Sequence, residues 1–271
     1  MLLLPDAVAL MTLVGTLAAE KREPRPRRLH LLNHLLTALP ASAAAAFILK
    51  DLRPDAPPII AGLTEAGFRA GSPAHAAFLQ EFNHAPFQDA FSRAALARLL
   101  ESPAAALLTF HRPDLVDDAA WRADIHVHAY RDPANLGDAL LSLFRPDPSL
   151  QPPADSSAYA LLFFRAPDEP PFTPRERDLL HAAHAGLEWM YREEAARNPG
   201  FTDDLPRRLR ETLRHLLTGA SERQIARQMK LSPHTVHDYV KALYTRFAVS
   251  SRQELIAWWT ARGHPLPLKH D

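Results

Sequence analysis

The chain contains no cysteine among its 271 residues. Disulfide bridges, thiolate metal sites and a thiol redox switch are therefore excluded. Three enzyme signatures are also missing, since the sequence has no GxxxxGK[ST] phosphate loop, no HExxH zinc motif and no GxSxG nucleophile elbow. We therefore expect a protein that is not an enzyme and that carries no cofactor and no metal.

Long apolar runs are also missing. The apolar stretch from Val8 to Ala19 is shorter than the ~20 residues that a membrane span requires. Pro5 and Asp6 interrupt the apolar residues before it, and no positively charged segment precedes them, as a secretory signal would require. We expect an amphipathic helix that packs on its own domain or on a partner subunit, no membrane contact, and a cytoplasmic location.

Charge is balanced overall but unevenly distributed. The 31 Lys and Arg residues equal the 31 Asp and Glu residues. From Leu205 to Asp271 there are 12 basic and 5 acidic residues, whereas the preceding residues carry 19 basic and 26 acidic ones. An acidic body followed by a basic C-terminal segment indicates a polyanionic partner for that segment.

The first 200 residues alternate between predicted helices and strands. Stretches such as AAAAFILKDL, PPIIAGLTEAGF, AALLTFHRP, GDALLSLFRP and SAYALLFFRAP predict strands. Thr173 and Pro174 then begin FTPRERDLLHAAHAGLEWMYREEAAR, which predicts one long helix. The order of these elements resembles a GAF domain over roughly residues 25–195, and the closing pattern of two strands and this helix is the part most similar to that family. The resemblance implies an α/β sandwich that serves as a sensor.

The segment RNPGFTDD marks a domain boundary because it combines proline, glycine and polar residues. We therefore predict a GAF-like sensor or dimerisation domain over residues 1–198, a linker over 199–204 and a second domain over 205–271. The predicted fold class is an α/β domain followed by an all-α four-helix domain.

Four short amphipathic helices are predicted after Leu205. Ser221 precedes one of them as an N-cap, and Ser232 followed by Pro233 begins the next. Only Leu231 and Ser232 lie between these two predicted helices. So short a turn between two amphipathic helices predicts a helix-turn-helix. On the helix that follows the turn, one apolar stripe faces inward at helical spacing, formed by Val236, Val240, Leu243 and Phe247.

The sequence ETLRHLLTGASERQIARQMKLSPHTVHDYVKALYTRFAVSSRQELI resembles the LuxR/FixJ/NarL-type DNA-binding domain. The matching residues are Gly219, Ser221, Ile225, Ala226, Leu231, Ser232, Thr235, Val236, Leu243, Val249, Ser251, Arg252 and Leu255. The resemblance implies a four-helix fold whose third helix enters the DNA major groove. Where the family commonly has lysine this chain has His237, and where it commonly has histidine this chain has Tyr239.

Polar side chains lie opposite the apolar stripe of the third helix when successive residues are placed 100° apart. Short donors and acceptors together with one lysine suit the base edges of a groove. Residues at the helix starts and further basic residues suit phosphates. The candidate DNA-binding residues are Ser221, Arg227, Ser232, His234, Thr235, His237, Asp238, Lys241, Thr245 and Arg246.

Many proteins with this type of C-terminal domain carry a phosphoacceptor receiver in front. That chemistry needs a lysine late in the receiver. Because no lysine lies between Asp51 and Met229, we reject a receiver domain.

Histidines in HVH and HAAH could bind a metal, but we interpret them as ordinary side chains because no HExxH motif or cysteine accompanies them. Aromatic residues could line a small-molecule pocket, and the candidates are Trp121, Tyr130, Phe144, Tyr159 and Phe163.

The sequence thus predicts a cytoplasmic, sequence-specific DNA-binding transcription regulator. We expect it to bind double-stranded DNA as a homodimer and to be controlled by an unknown small ligand or by dimerisation through the N-terminal domain. The alternative is a ligand-binding or enzymatic α/β domain whose helical tail docks to protein rather than DNA.

Overall fold

The structure is a computed structural model, and it describes residues 3–19, 24–50, 52–54, 57–84, 87–102, 106–146, 157–197, 205–247 and 249–261. The chain divides into two compact units, Met1–Arg197 and Asn198–Asp271. The predicted linker, residues 199–204, lies outside the described residues. Within the described ranges, every helix is too short or too polar to span a membrane.

The first unit is built on an antiparallel sheet of five strands, in the spatial order β2-β1-β5-β4-β3. The strands are β1 Ala43–Lys50, β2 Ile59–Ala66, β3 Leu107–His111, β4 Ala139–Phe144 and β5 Ala158–Phe164. Every residue of β4 and β5 is buried, which explains why both strands are almost continuously apolar. The α/β architecture predicted for the first unit is confirmed.

Helices cover both faces of this sheet. One face, called the α3 face, carries α3 Pro73–His84, α4 Ala90–Glu101, α5 Arg112–Leu115, α6 Asp118–Ala123 and a π-helical turn at Val127–Arg131. The other, called the α1 face, carries α1 Leu4–Ala19, α2 Pro24–Ala38, α7 Pro174–Ala185 and α8 Glu188–Arg197. Because side chains alternate along a strand, Leu162 and Phe164 pack into the core on the α3 face, and Leu161 and Phe163 into the core on the α1 face.

This alternation separates the five aromatic residues predicted to line one pocket. Trp121 lies in the core on the α3 face, and Tyr130 is half-buried in the π-helical turn. Phe144, Tyr159 and Phe163 belong to the core on the α1 face. Since the sheet lies between the two cores, the five residues are divided between its two sides, and their role in lining a ligand pocket stays a prediction.

The helix starts agree with the predicted caps. The Thr173 hydroxyl accepts a hydrogen bond from the backbone N–H of Glu176, and the Glu176 side chain accepts one from the Thr173 backbone. The single long helix predicted after Thr173 is instead two helices, because α7 ends at Ala185 and α8 begins at Glu188. Gly186 caps α7, and its N–H donates to carbonyls of the last turn.

The second unit contains the four predicted helices, which are α9 Arg207–Leu217, α10 Glu222–Met229, α11 Pro233–Phe247 and α12 Arg252–Ala261. Their apolar sides form one core. Its buried residues are Leu205, Leu213, Leu216, Leu217, Ile225, Ala226, Met229, Val236, Val240, Leu243, Phe247 and Leu255. The apolar stripe predicted on α11 lies in this core.

Candidate nucleic-acid interface

The turn between α10 and α11 contains only Lys230, Leu231 and Ser232. Lys230 adopts the left-handed conformation, with φ of 54°, and the N–H of Leu231 donates to the carbonyl of Ala226 over 2.9 Å. This pattern ends a helix sharply. Half-buried Leu231 packs against the core, so both the position and the direction of α11 are fixed.

Hydroxyl groups cap the two helices that flank the turn. Ser221 and Gln224 form a reciprocal capping box at the start of α10. The Ser232 Oγ accepts from the N–H of Thr235 over 3.0 Å at the start of α11, and it lies 2.8 Å from the Thr235 hydroxyl. In the free protein these hydroxyls therefore stabilise the helix ends.

The outer side of α11 is polar and open to solvent. Its exposed candidate residues are His234, His237, Asp238, Lys241 and Thr245. Buried Val236, Val240 and Leu243 on the opposite side hold the helix against the core. The Arg246 side chain lies outside the described part of the chain.

Acidic residues lie beside both histidines of this side. The His237 Nδ1 is 3.2 Å from the Glu222 Oε2 on α10, and the His234 Nε2 is 3.8 Å from the Asp238 Oδ2 one turn along α11. The sequence analysis did not identify Glu222. It lies 15 residues from His237, and their contact depends on how α10 crosses α11.

The cations of the helix-turn-helix differ in their surroundings. Lys241 on α11 and Arg227 on α10 are exposed, and neither makes an ion pair among the described residues. Arg223, which the sequence analysis missed, is exposed one turn before Arg227. Two like charges at this spacing destabilise a helix slightly unless an anion binds them. In contrast, Arg252 donates to the carbonyls of Leu216 and Ala220, over 2.5 and 3.3 Å, and so stabilises the unit itself.

The first unit contains a second polar cluster, which is buried on the α3 face. The Arg131 guanidinium lies 2.5 Å from Glu81 and 3.1 Å from Asp89, and all three side chains are at least nine-tenths buried. Burial raises the pKa of the Glu81 carboxyl to about 8. Among the residues that the structure describes, Arg131 Nε, Arg131 Nη1 and Glu81 Oε2 have no hydrogen-bond partner.

Glu81 and Arg131 line a cavity of about 10 Å³, together with Phe82, Phe87, Ser92 and Leu162. That volume is roughly the room for one water molecule. A second cavity of about 10 Å³, whose lining includes Arg28, Tyr159 and Tyr191, lies under the α1 face. Among the described residues, no group of three or more histidine or acidic side chains could hold a metal ion.

A three-residue turn between two amphipathic helices, the second with its polar side exposed, defines a helix-turn-helix DNA-binding protein. The family model described as bacterial regulatory proteins, luxR family, matches residues 203–259. This part of the chain is a LuxR-family DNA-binding domain, and the protein is a DNA-binding transcription regulator. No curated protein matches the sequence.

Three solved structures are similar to the chain at low sequence identity. Escherichia coli SdiA is 15% identical with a TM-score of 0.38, over 94% of this chain and 96% of that chain. SdiA in complex with octanoyl-rac-glycerol is 14% identical with a TM-score of 0.39, over 97% and 96%. The VqsR LBD domain from Pseudomonas aeruginosa is 16% identical with a TM-score of 0.40, over 66% and 94%.

Proposed function

We propose that the protein is a non-enzymatic, cytoplasmic regulator that binds specific sites on double-stranded DNA as a homodimer. A single recognition helix contacts only a few base pairs, so specific affinity requires two copies on paired half-sites. The first unit then serves as a GAF-like sensor or dimerisation domain. Its antiparallel sheet with helices on both faces supports that assignment.

The observation that carries the proposal is a set of three exposed basic side chains on α10 and α11. Lys241 projects from the outer side of the helix that follows the turn, and Arg223 and Arg227 are exposed on the helix before it. In this proposal Lys241 binds guanine in the major groove, and the two arginines bind phosphates of the DNA backbone.

The remaining candidate residues have two proposed roles. Exposed side chains of α11 contact base edges, and these are His234, His237, Asp238 and Thr245. Helix starts and the end of α11 contact the phosphate backbone, through Ser221, Ser232, Thr235 and Arg246. His237 must exchange Glu222 for DNA, because its Nδ1 lies 3.2 Å from that carboxylate in the free protein.

The experiment uses duplexes that the full-length chain selects from a random pool, together with an unrelated duplex. Fluorescence anisotropy at about 50 and 200 mM salt gives the number of phosphate contacts from the slope of log K against log salt. We expect Arg227→Ala to weaken both duplexes and to reduce the slope by about one, and Lys241→Ala to cost ~1–3 kcal/mol on the selected site alone. Arg214→Ala on α9 is the matched control, because it removes an exposed arginine outside the helix-turn-helix.

Two results contradict the proposal. Affinity that does not depend on salt would support the alternative, in which the helical tail docks to protein. If Lys241→Ala and Arg227→Ala both bind like the Arg214→Ala control, α10 and α11 are not the DNA-binding elements.

A second candidate function is the binding of a small polar ligand by the buried Arg131 cluster. The observation in its favour is the unpaired Arg131 Nε and Nη1 beside a cavity. Buried donors without partners are rare in folded proteins, and each costs about 1–3 kcal/mol. Unpartnered guanidinium N–H groups suit an anionic acceptor, so the proposed ligand class is a small carboxylate, for which the cavity must widen.

Formate is the probe for this second candidate, in a thermal unfolding series at increasing concentration. A ligand that binds the folded state raises the unfolding temperature. We expect such a rise for the wild type and none for Arg131→Lys, because lysine keeps the charge but lacks the planar set of guanidinium N–H donors. Arg175→Lys is the control for the same change at an exposed position. A wild type without any rise would leave the first unit as a dimerisation domain.

A further inference from the structure

One side of α1 is apolar and exposed to solvent. Leu4 is 79% exposed, Val8 56% and Met11 75%. Six large apolar residues are exposed in the described parts of the chain. Four of them lie between residues 3 and 11, and these are Leu3, Leu4, Val8 and Met11. Contiguous exposed apolar surface in a folded protein commonly marks an interaction site.

The opposite side of α1 is firmly attached to the first unit. Leu13 and Leu17 are buried in the core on the α1 face, and Asp6 accepts two hydrogen bonds from Arg175, at 2.6 and 3.1 Å. The helix is therefore held in place, and its exposed side is a defined surface of the folded unit.

Helical geometry gathers the exposed apolar residues into one stripe. At 100° per residue, Leu4, Val8, Met11 and Gly15 fall within an arc of about 60°. A Cβ placed at Gly15 would meet nothing within 4 Å, so another helix has free access there. Thr12 borders the stripe, and its hydroxyl donates to the Val8 carbonyl of the same helix. The donor of this hydroxyl is therefore satisfied within α1 and needs no partner from outside.

The chemistry of the stripe decides what covers it. Asp6 is the one charged residue between Leu4 and Ala19, and it is held by Arg175 on the buried side. A helix that lies on an anionic membrane carries Lys and Arg beside its apolar side, and α1 has neither. The described residues of the second unit include no exposed large apolar side chain that would match the stripe.

A second copy of this chain supplies the matching surface. In a two-fold interface the same patch meets itself, so a charged patch would repel its copy, whereas an uncharged apolar one does not. We propose that the α1 stripes of two copies pack against each other and form the homodimer contact of this regulator. Met11 lies near the middle of α1, so the two-fold axis passes close to it. This inference rests on the proposed function, which requires two DNA-binding units.

The area of the stripe sets the strength of the contact. Sixteen residues at 1.5 Å each give a helix about 24 Å long and about 10 Å wide, which is roughly 240 Å² per copy. A stable interface buries about 800 Å² per partner, so α1 supplies about a third of it. The dimer is therefore concentration-dependent in solution, and adjacent half-sites on DNA strengthen it by raising the effective concentration of the second copy.

The test is sedimentation equilibrium of the full-length chain over a series of concentrations without DNA. We expect the wild type to shift from its monomer mass of 30.2 kDa towards twice that value. Met11→Glu is expected to stay monomeric and to fold like the wild type, since the side chain it replaces is exposed. Ala9→Glu is the matched control, because Ala9 is exposed on the same helix but lies about 100° from Val8. It is expected to dimerise like the wild type.

Charge complementation makes the test specific to α1. Mixing Met11→Glu with Met11→Lys is expected to restore a dimer, because the two positions meet at the axis. A wild type that stays monomeric, or a Met11→Glu chain that still dimerises, would overturn the α1 contact. Binding of the wild type to phosphatidylcholine–phosphatidylglycerol vesicles, abolished by Met11→Glu, would overturn it in favour of a membrane.

Failure of this contact is distinguishable from failure of the proposed function. If α1 is not the contact, salt-dependent binding to a single half-site persists. If the chain does not bind DNA at all, the salt series described above shows no slope, whatever the sedimentation result.

Discussion

Titration of Glu81 is expected to dominate the pH dependence of the first unit above neutral pH. Burial raises the pKa of this carboxyl from 4.5 to about 8 in the folded protein, against the opposing effect of Arg131. The folded state therefore holds the proton more tightly than the unfolded chain. Its stabilising contribution is complete below about pH 4.5 and is lost as pH rises to about 8, at about 1.4 kcal/mol per pH unit.

His184 has the opposite effect over a lower pH range. This side chain is fully buried, and burial lowers its pKa from 6.5 to about 3. Its contribution to stability is complete above about pH 6.5 and is lost as pH falls towards 3. The two slopes oppose each other between about pH 4.5 and 6.5. Between pH 6.5 and 8 only the pH dependence from Glu81 remains of these two. Over that range its ionisation lowers the free energy of unfolding by about 2 kcal/mol.

Urea unfolding between pH 6.5 and 8 measures this loss. Replacing Trp258 and Trp259 by phenylalanine leaves the fluorescence of Trp121 and Trp189, which report on the first unit. We expect the free energy of unfolding to fall by about 2 kcal/mol more in the wild type than in Glu81→Gln, because glutamine is a neutral isostere that does not titrate. Histidines common to both proteins cancel in this difference.

Glu101→Gln serves as the control, because it removes an exposed carboxyl that pairs with Arg98 at 3.9 Å. We expect this substitution to change the free energy of unfolding by less than about 1 kcal/mol at every pH. The reasoning would be refuted if Glu81→Gln cost about 3–5 kcal/mol already at pH 6.5 and the wild type showed no greater pH dependence. That result would mean that Glu81 is ionised and forms a buried ion pair with Arg131.

Three further predictions concern the second unit. Arg252→Ala is expected to lower the free energy of unfolding of the second unit by ~1–3 kcal/mol, because two carbonyls lose their donor. Chemical unfolding followed by circular dichroism checks this, and Arg252→Lys should recover only part of the loss. The fragment 205–271 is expected to fold alone and to bind DNA more weakly than the full-length chain, and a circular dichroism spectrum without helix would contradict this. Glu222→Gln is expected to strengthen binding to unrelated duplexes about two- to fivefold, since removing one exposed charge near phosphate is worth up to ~1 kcal/mol. Unchanged anisotropy titrations would show that Glu222 does not influence the affinity for DNA.

Local patterns allowed much of this structure to be predicted. The stripe from Val236 to Phe247 is set by helical periodicity, and the caps at Thr173, Ser221 and Ser232 are set by side chains that bond within three residues. Such features depend on near neighbours in the chain, which a sequence displays directly.

Features that depend on how elements pack could not be predicted in this way. Tyr159 and Phe163 share one side of β5 because four residues separate them, but Trp121 lies on a helix, and the sequence does not say which face of the sheet that helix covers. The contact between His237 and Glu222 likewise depends on the crossing of two helices. The buried Arg131 cluster joins Arg131 to carboxylates of α3 and of the start of α4, more than 40 residues earlier in the chain.

The carboxylates beside His237 and His234 affect how the protein searches a genome. Glu222 and Asp238 lie close to the surface that we propose binds DNA, so on that proposal they partly cancel the attraction of its cations to any phosphate backbone. Sequence-independent affinity sets how long a regulator stays at each wrong site, and a genome offers millions of them. A recognition helix with its own acidic neighbours leaves such sites quickly, and a larger share of the molecules remains free to find the right one.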